Sequence, residues 1–201
     1  MSICEIKTQA KSQIKGKIGS LFLIMLIYLV IAYITGFMSV FTLGISVLLV
    51  SSPMIFGYLN VYLKLVSTSQ VEVSTLFSGF KIIWKSIGAQ LLQGIYIFLW
   101  SMLFFVPGII KTFSYAMTNY IILENPEIGL NEAITRSREM MHGNKMKLFL
   151  LQLSFIGWLL LIPFTFGMIS IYVVPYMQTA TVNFYNSIKF LKNSPIVNIQ
   201  P

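Results

Sequence analysis

Charged residues are scarce in this chain: Asp, Glu, Lys and Arg make up 10% of its 201 residues, against about 25% in an ordinary soluble domain. A water-soluble fold of this length needs charged faces between its apolar runs, so the shortage excludes water as the main solvent. There is one cysteine, Cys4, which excludes an intrachain disulfide framework and any multi-cysteine metal site. There is one histidine, His142, and a metal centre or a nucleophile–base pair would need partners that the sequence does not supply around it. Phosphate-cradling Gly-x-x-x-x-Gly-Lys loops and Gly-x-Ser-x-Gly elbows are absent as well. Together these shortages argue against an enzyme and against a bound cofactor.

What the sequence has instead is apolar length. Hydrophobic residues form 56% of it and the mean hydropathy is +0.80. Several runs are long enough to cross ~30 Å of hydrocarbon at about 1.5 Å per residue. The expected fold is all-α: a single integral membrane domain over 1–201, a polytopic bundle of about six transmembrane helices in three hairpins, with interfacial amphipathic helices.

Residues 1–17 read as an interfacial helix, with Ile3, Ile6, Ala10 and Ile14 on one face and Lys7, Lys11 and Lys15 on another. A solvated leader into the first span is the other reading. The apolar run that starts at Ile18 is too long for a signal-peptide core and reads as a retained helix. Hairpin 1 covers 18–66, and 67–85 is a polar connector lying on the surface. Hairpin 2 covers 86–123 and turns at Pro107-Gly108; its return from Ile109 to Leu123 is short for a span. The most charged stretch, 124–147, is a cytoplasmic amphipathic helix opened by Asn125-Pro126 and closed by Gly143-Asn144, with Glu132 and Arg136 as an i, i+4 pair. Hairpin 3 covers 148–187, and 188–201 is a polar tail.

The 14 Lys and Arg outnumber the 6 Asp and Glu, a formal charge of +8. These cations flank apolar runs, the pattern of the positive-inside bias and of contact with anionic lipid headgroups, whereas a nucleic-acid surface would want a dense basic stripe on a soluble face. If each span reverses direction from a cytoplasmic N-terminus, every cation except Lys111 falls on one side, together with all the acids. Both termini then lie inside. A re-entrant 109–123 segment, leaving five spans, would put the C-terminus outside, against Lys189 and Lys192.

The segments 41–62 and 164–185 align without gaps, with Phe41, Thr42, Gly44, Val50, Met54, Asn60 and Tyr62 matching Phe164, Thr165, Gly167, Val173, Met177, Asn183 and Tyr185. A composition rich in Phe, Tyr and Ile also produces such matches, so duplication and coincidence both stay open. Among the polar residues inside spans, Asn60, Asn119, Gln178 and Asn183 either line a polar path or form interhelical hydrogen bonds worth ~0.6 to 2 kcal/mol each.

The series Pro107-Gly108-Ile109-Ile110-Lys111, Ser114-Tyr115, Asn125-Pro126, Glu132-Ala133-Ile134, Met140-Met141-x-Gly143-Asn144-Lys145 and Pro175-Tyr176, with Ile6-Lys7, Ala10-Lys11 and Lys15-Gly16 before it, resembles the bacterial membrane-protein family catalogued as domain of unknown function 975. The Glu-Ala-Ile, serine and basic pattern is more loosely similar to the membrane domain of glycerophosphodiester phosphodiesterases, whose catalytic domain has no counterpart here. The first resemblance implies a multi-pass protein of the bacterial cytoplasmic membrane and brings no assigned activity.

The expectation is therefore a scaffold or accessory protein that contacts anionic lipid, or another membrane or cytoplasmic protein, through Lys7, Lys11, Lys15, Glu132, Arg136, Arg138, Lys145 and Lys147. A small-solute, lipid or peptide permease using the four-residue polar path is the alternative, and protection against membrane-active peptides a third. Nucleic acid is not an expected partner. The topology has a direct check in single cysteines at Ser46, Ser170 and Ser194 in a Cys4→Ser background: an impermeant external reagent should label the first two and spare the third.

Overall fold

The computed structural model describes residues 2–42, 44–103, 105–165 and 167–193, so most of the tail lies outside it. Ser2 opens the first helix with a capping box: its Oγ accepts from the Glu5 N–H at 3.2 Å, and Glu5 Oε2 accepts from the Ser2 N–H at 2.9 Å. This helix, α1 (Ile3–Ile14), stops before Gly16, whose φ of 79° suits a residue without a Cβ. Next come α2 (Ile18–Ser39), a π-helical turn over Val47–Ser51, and α3 (Ser52–Thr68). A ten-residue 3-10 segment, Val73–Ile82, leads into α4 (Ile83–Leu103), α5 (Phe105–Tyr115) and α6 (Thr118–Glu124). The remaining helices are α7 (Leu130–Met140), α8 (Lys145–Leu153), α9 (Ile156–Leu160) and α10 (Ser170–Asn193). No strand occurs among the described residues, and the all-α expectation holds.

Four described stretches are long and apolar enough to cross a bilayer: Ile18–Ser39, Val47–Thr68, Val73–Met102 and Lys145–Thr165. Two of the six expected spans are not among them, for different reasons. The stretch 109–123 is divided between α5 and α6 by a turn at Ala116-Met117. The stretch 168–187 is continuous helix within α10, but Gln178, Asn183 and Asn186 lower its hydropathy, and it packs against α1, α2 and α3.

The repeat between 41–62 and 164–185 is matched in its opening turn. Gly44 and Gly167 both have positive φ, 83° and 82°. The Thr42 hydroxyl donates to Met38 O at 3.1 Å, as Thr165 does to Leu161 O at 3.0 Å. The Gly44 N–H reaches Ser39 O at 2.9 Å and the Gly167 N–H reaches Ile162 O at the same distance. The likeness also extends further back, with four fewer residues in the second copy. Gly143, at φ 76°, ends α7 as Gly16 ends α1. The buried positions Ile6, Ala10, Ile14, Leu21 and Ile24 correspond to Ala133, Ser137, Met141, Leu148 and Leu151, which are buried as well. Four residues are about one helical turn, and the shorter copy is the one broken at Ser154-Phe155, between α8 and α9.

Each surface segment lies on the last helix of the hairpin before it, cyclically: the 3-10 segment on α3, α7 on α6, and α1 on α10. The inner helices meet around Tyr62, Tyr120 and Tyr185, all buried, with the Tyr120 and Tyr185 rings stacked at 5.3 Å. The isoleucine stripe of α1 is therefore spent on protein rather than on lipid. Ile6 and Ile14 are both at most 2% exposed there.

In hairpin 2, α5 packs against α7 of the charged stretch and α8, the helix after it, as well as against α4. Lys111 Nζ sits 4.2 Å over the Trp100 ring, and Arg138 and Lys145 are near enough to repel its charge. Ile109, Ile110 and Phe113 share a groove with Lys145, Met146 and Phe149 of the first turns of α8. The structure thus places Lys111 with the other cations, not at a distant turn. α5 and α6 are separate helices, divided by the turn at Ala116-Met117.

The seating of the 3-10 segment is testable. A Cβ on Gly79 would lie 1.9 Å from the Pro53 carbonyl oxygen, whereas one on Gly94 would meet nothing within 4 Å. Gly79→Ala should cost at least ~1 to 3 kcal/mol through overpacking, and Gly94→Ala should gain up to ~1 kcal/mol from helix propensity. Thermal unfolding of the purified protein in detergent reads both. Equal melting temperatures for Gly79→Ala and wild type would show that the segment is not seated this way.

Candidate functional site

The eight residues of the expected basic face divide into committed and uncommitted groups. Lys7 is committed: its Nζ donates to Ser154 Oγ at 3.2 Å and lies 4.6 Å over the Phe155 ring, tying α1 to the break between α8 and α9. Lys11 and Lys15 are exposed. The expected Glu132–Arg136 pair is not formed, since the ion pair present among the described residues is Lys189–Glu124 at 2.7 Å. Arg136 instead lines a pocket of about 260 Å³ with Glu124, Asn125, Met140, Tyr185 and Lys189. Arg138 and Lys145 are near enough to Lys111 to repel its charge, and Lys147 is exposed.

This pocket stands where α6, α7 and α10 come together. Glu124 Oε2 accepts from the Tyr185 hydroxyl at 2.6 Å and from Lys189 Nζ at 2.7 Å. Sequence reasoning missed Glu124, Tyr185 and Lys189 as a group, because residues more than 60 positions apart carry no spacing signal. The one available hint was Tyr185, the last residue of the aligned repeat. α7 is held beside them by Ser137, whose Oγ accepts from the Met117 N–H at 3.2 Å and donates to Ser114 O at 2.9 Å. Ser137 thereby satisfies backbone groups that the turn between α5 and α6 leaves open.

The four polar residues inside the expected spans do not form one path. The Asn60 amide donates to Ser78 Oγ at 2.8 Å, Gln93 donates to Asn119 Oδ1 at 2.9 Å, and Asn183 donates to Gln13 Oε1 at 2.9 Å. Each bond joins two segments, as interhelical staples do. Gln178 differs: it lines an open cavity of about 450 Å³ between α2, α3 and α10, with Tyr28, Tyr58 and Ser170.

Against known proteins, the family model described as "Protein of unknown function (DUF975)" matches residues 1–114 and 105–192. No curated protein matches the chain, and no solved structure does.

The role of Ser137 gives a prediction. Ser137→Ala leaves the buried Met117 N–H and the Ser114 carbonyl without their partner, so it should cost about 1 to 3 kcal/mol. Thermal unfolding measures the loss, and hydrogen exchange should show it concentrated at 114–124. A uniform loss of protection along the chain would point to a role other than bracing this turn.

Proposed function

Because the chain belongs to the DUF975 family, whose function is unknown, no activity comes with membership, and we propose from its own surface that it is a non-enzymatic multi-pass membrane protein acting as a scaffold or accessory protein, with its basic face held to anionic lipid. The observation that carries this reading is the set of uncommitted cations. Lys11, Lys15, Arg136, Arg138, Lys145 and Lys147 have no hydrogen-bond or ion-pair partner among the described residues, while the polar residues expected inside the spans are mostly paired. Uncommitted cations beside apolar helices suit an anionic leaflet, where each is worth about 1 kcal/mol near the surface. The favoured orientation puts this face and both termini on the cytoplasmic side of a bacterial inner membrane.

A permease or exporter component is the second reading. It rests on the cavity at Gln178, whose volume of about 450 Å³ falls in the ~300 to 1,000 Å³ range of ligand pockets.

Reconstitution tests the lipid reading. Wild-type protein in bilayers rich in phosphatidylglycerol should unfold at a higher temperature than in phosphatidylcholine, and the difference should shrink as salt rises and screens exposed charge. Equal stability in the two lipids at low salt would overturn it.

A further inference from the structure

We propose that the pocket between α6, α7 and α10 is a discrete site for a phosphate-bearing anion, fitted above all to the phosphodiester of a hydroxylated anionic phospholipid headgroup. This deepens the lipid-surface reading by replacing diffuse attraction with one named site.

Charge accounting comes first. The pocket wall holds two cations, Arg136 and Lys189, and one carboxylate, Glu124. Glu124 Oε2 already takes hydrogen bonds from Tyr185 and Lys189, so Lys189 is neutralised and the Arg136 guanidinium is left over. A wall with one surplus positive charge suits a monoanion, which a phosphodiester is. Donor geometry agrees, since a guanidinium presents a planar fork of N–H groups that matches two phosphate oxygens, a match an ammonium cannot make. The Asn125 amide lines the same pocket without a hydrogen-bond partner among the described residues and can donate to a third oxygen.

Size and surroundings narrow the ligand. At about 260 Å³ the pocket is smaller than the ~300 Å³ lower bound usual for drug-sized ligands, so it holds a headgroup fragment and not a large substrate. Lys189 also lines a second pocket, of about 410 Å³, whose wall carries the side-chain amides of Gln9 and Asn186. Neither amide has a hydrogen-bond partner among the described residues. A phosphodiester seated at Arg136 would send its headgroup hydroxyls past Lys189 toward these amides. The shared chemistry is phosphate recognition, and its source is either lipid or free phosphate.

The test uses the full chain in detergent and reads its melting temperature against short-chain phosphatidylglycerol, short-chain phosphatidylcholine and inorganic phosphate. Phosphatidylglycerol should stabilise wild type and Lys81→Gln alike, Lys81 being an exposed cation outside the pocket, and its apparent affinity should fall about tenfold or more in Arg136→Gln, the equivalent of one charge-assisted hydrogen bond. Arg136→Lys keeps the charge but loses the fork and should recover only part of the affinity, and its unliganded melting temperature checks folding. Phosphate that displaces the lipid in wild type but not in Arg136→Gln assigns the free ion as a competing occupant, and no displacement assigns the lipid. Undiminished binding in Arg136→Gln, or an equal loss in Lys81→Gln, overturns the site. If anionic bilayers still stabilise Arg136→Gln, the site fails while the broader lipid reading stands.

Discussion

Gly79 lies so close to α3 that an added Cβ would fall 1.9 Å from the Pro53 carbonyl oxygen, and an added Cβ on Gly57 would clash in the same way with the Leu76 carbonyl. Contact this close between a surface segment and an inner helix is the arrangement on which the other parts rest. Comparable positions recur on the other two segments, where Ala10 of α1 and Ser137 of α7 are fully buried small residues. Small side chains allow backbones to approach, and backbone approach supplies dispersion contacts where apolar burial alone gives little preference between protein and lipid. The outer helices can then keep their large apolar side chains exposed, as Leu29, Tyr33 and Phe37 do on α2.

The polar residues obey the same constraint. A hydrogen-bonding group away from water has to find a partner within the protein, and here the partner usually lies on a neighbouring segment: Ser78 for Asn60, Gln93 for Asn119, Gln13 for Asn183. Two of these bonds join an inner helix to the surface segment packed on it, so they reinforce the cyclic arrangement. The Thr118 hydroxyl is an exception, buried without a partner among the described residues. Gln178 and Arg136, also without such a partner, stand instead at the walls of cavities, which is why the functional proposals fall on them.

The repeat shows how much a short chain can reuse. An amphipathic helix, a glycine at positive φ, an apolar stretch and a Thr-x-Gly turn occur twice, the turn with matched hydrogen bonds. The copies diverge where they meet different neighbours. In the first, Asn60 bonds to the 3-10 segment; in the second, Asn183 bonds to α1. A repeat therefore produces an assembly that is alike in backbone and unlike in its polar surface, and the charged pocket takes Arg136, Met140 and Tyr185 from the second copy and Glu124, Asn125 and Lys189 from outside it.

Composition and periodicity by themselves determined the fold class, the long apolar helices, the amphipathic character of α1 and α7, and the stop at Gly143, because these depend on local preference and on which solvent each run tolerates. The seven matched positions also pointed to the repeat. What only the tertiary structure decided was which segments touch. It turned the isoleucine face of α1 onto α10 and carried Lys111 to Arg138 and Lys145. It also gathered Glu124, Arg136, Tyr185 and Lys189 from three helices. None of these follows from spacing, since a residue's sequence neighbours set its helix face while its partners across the bundle are set by how closely two backbones can pack.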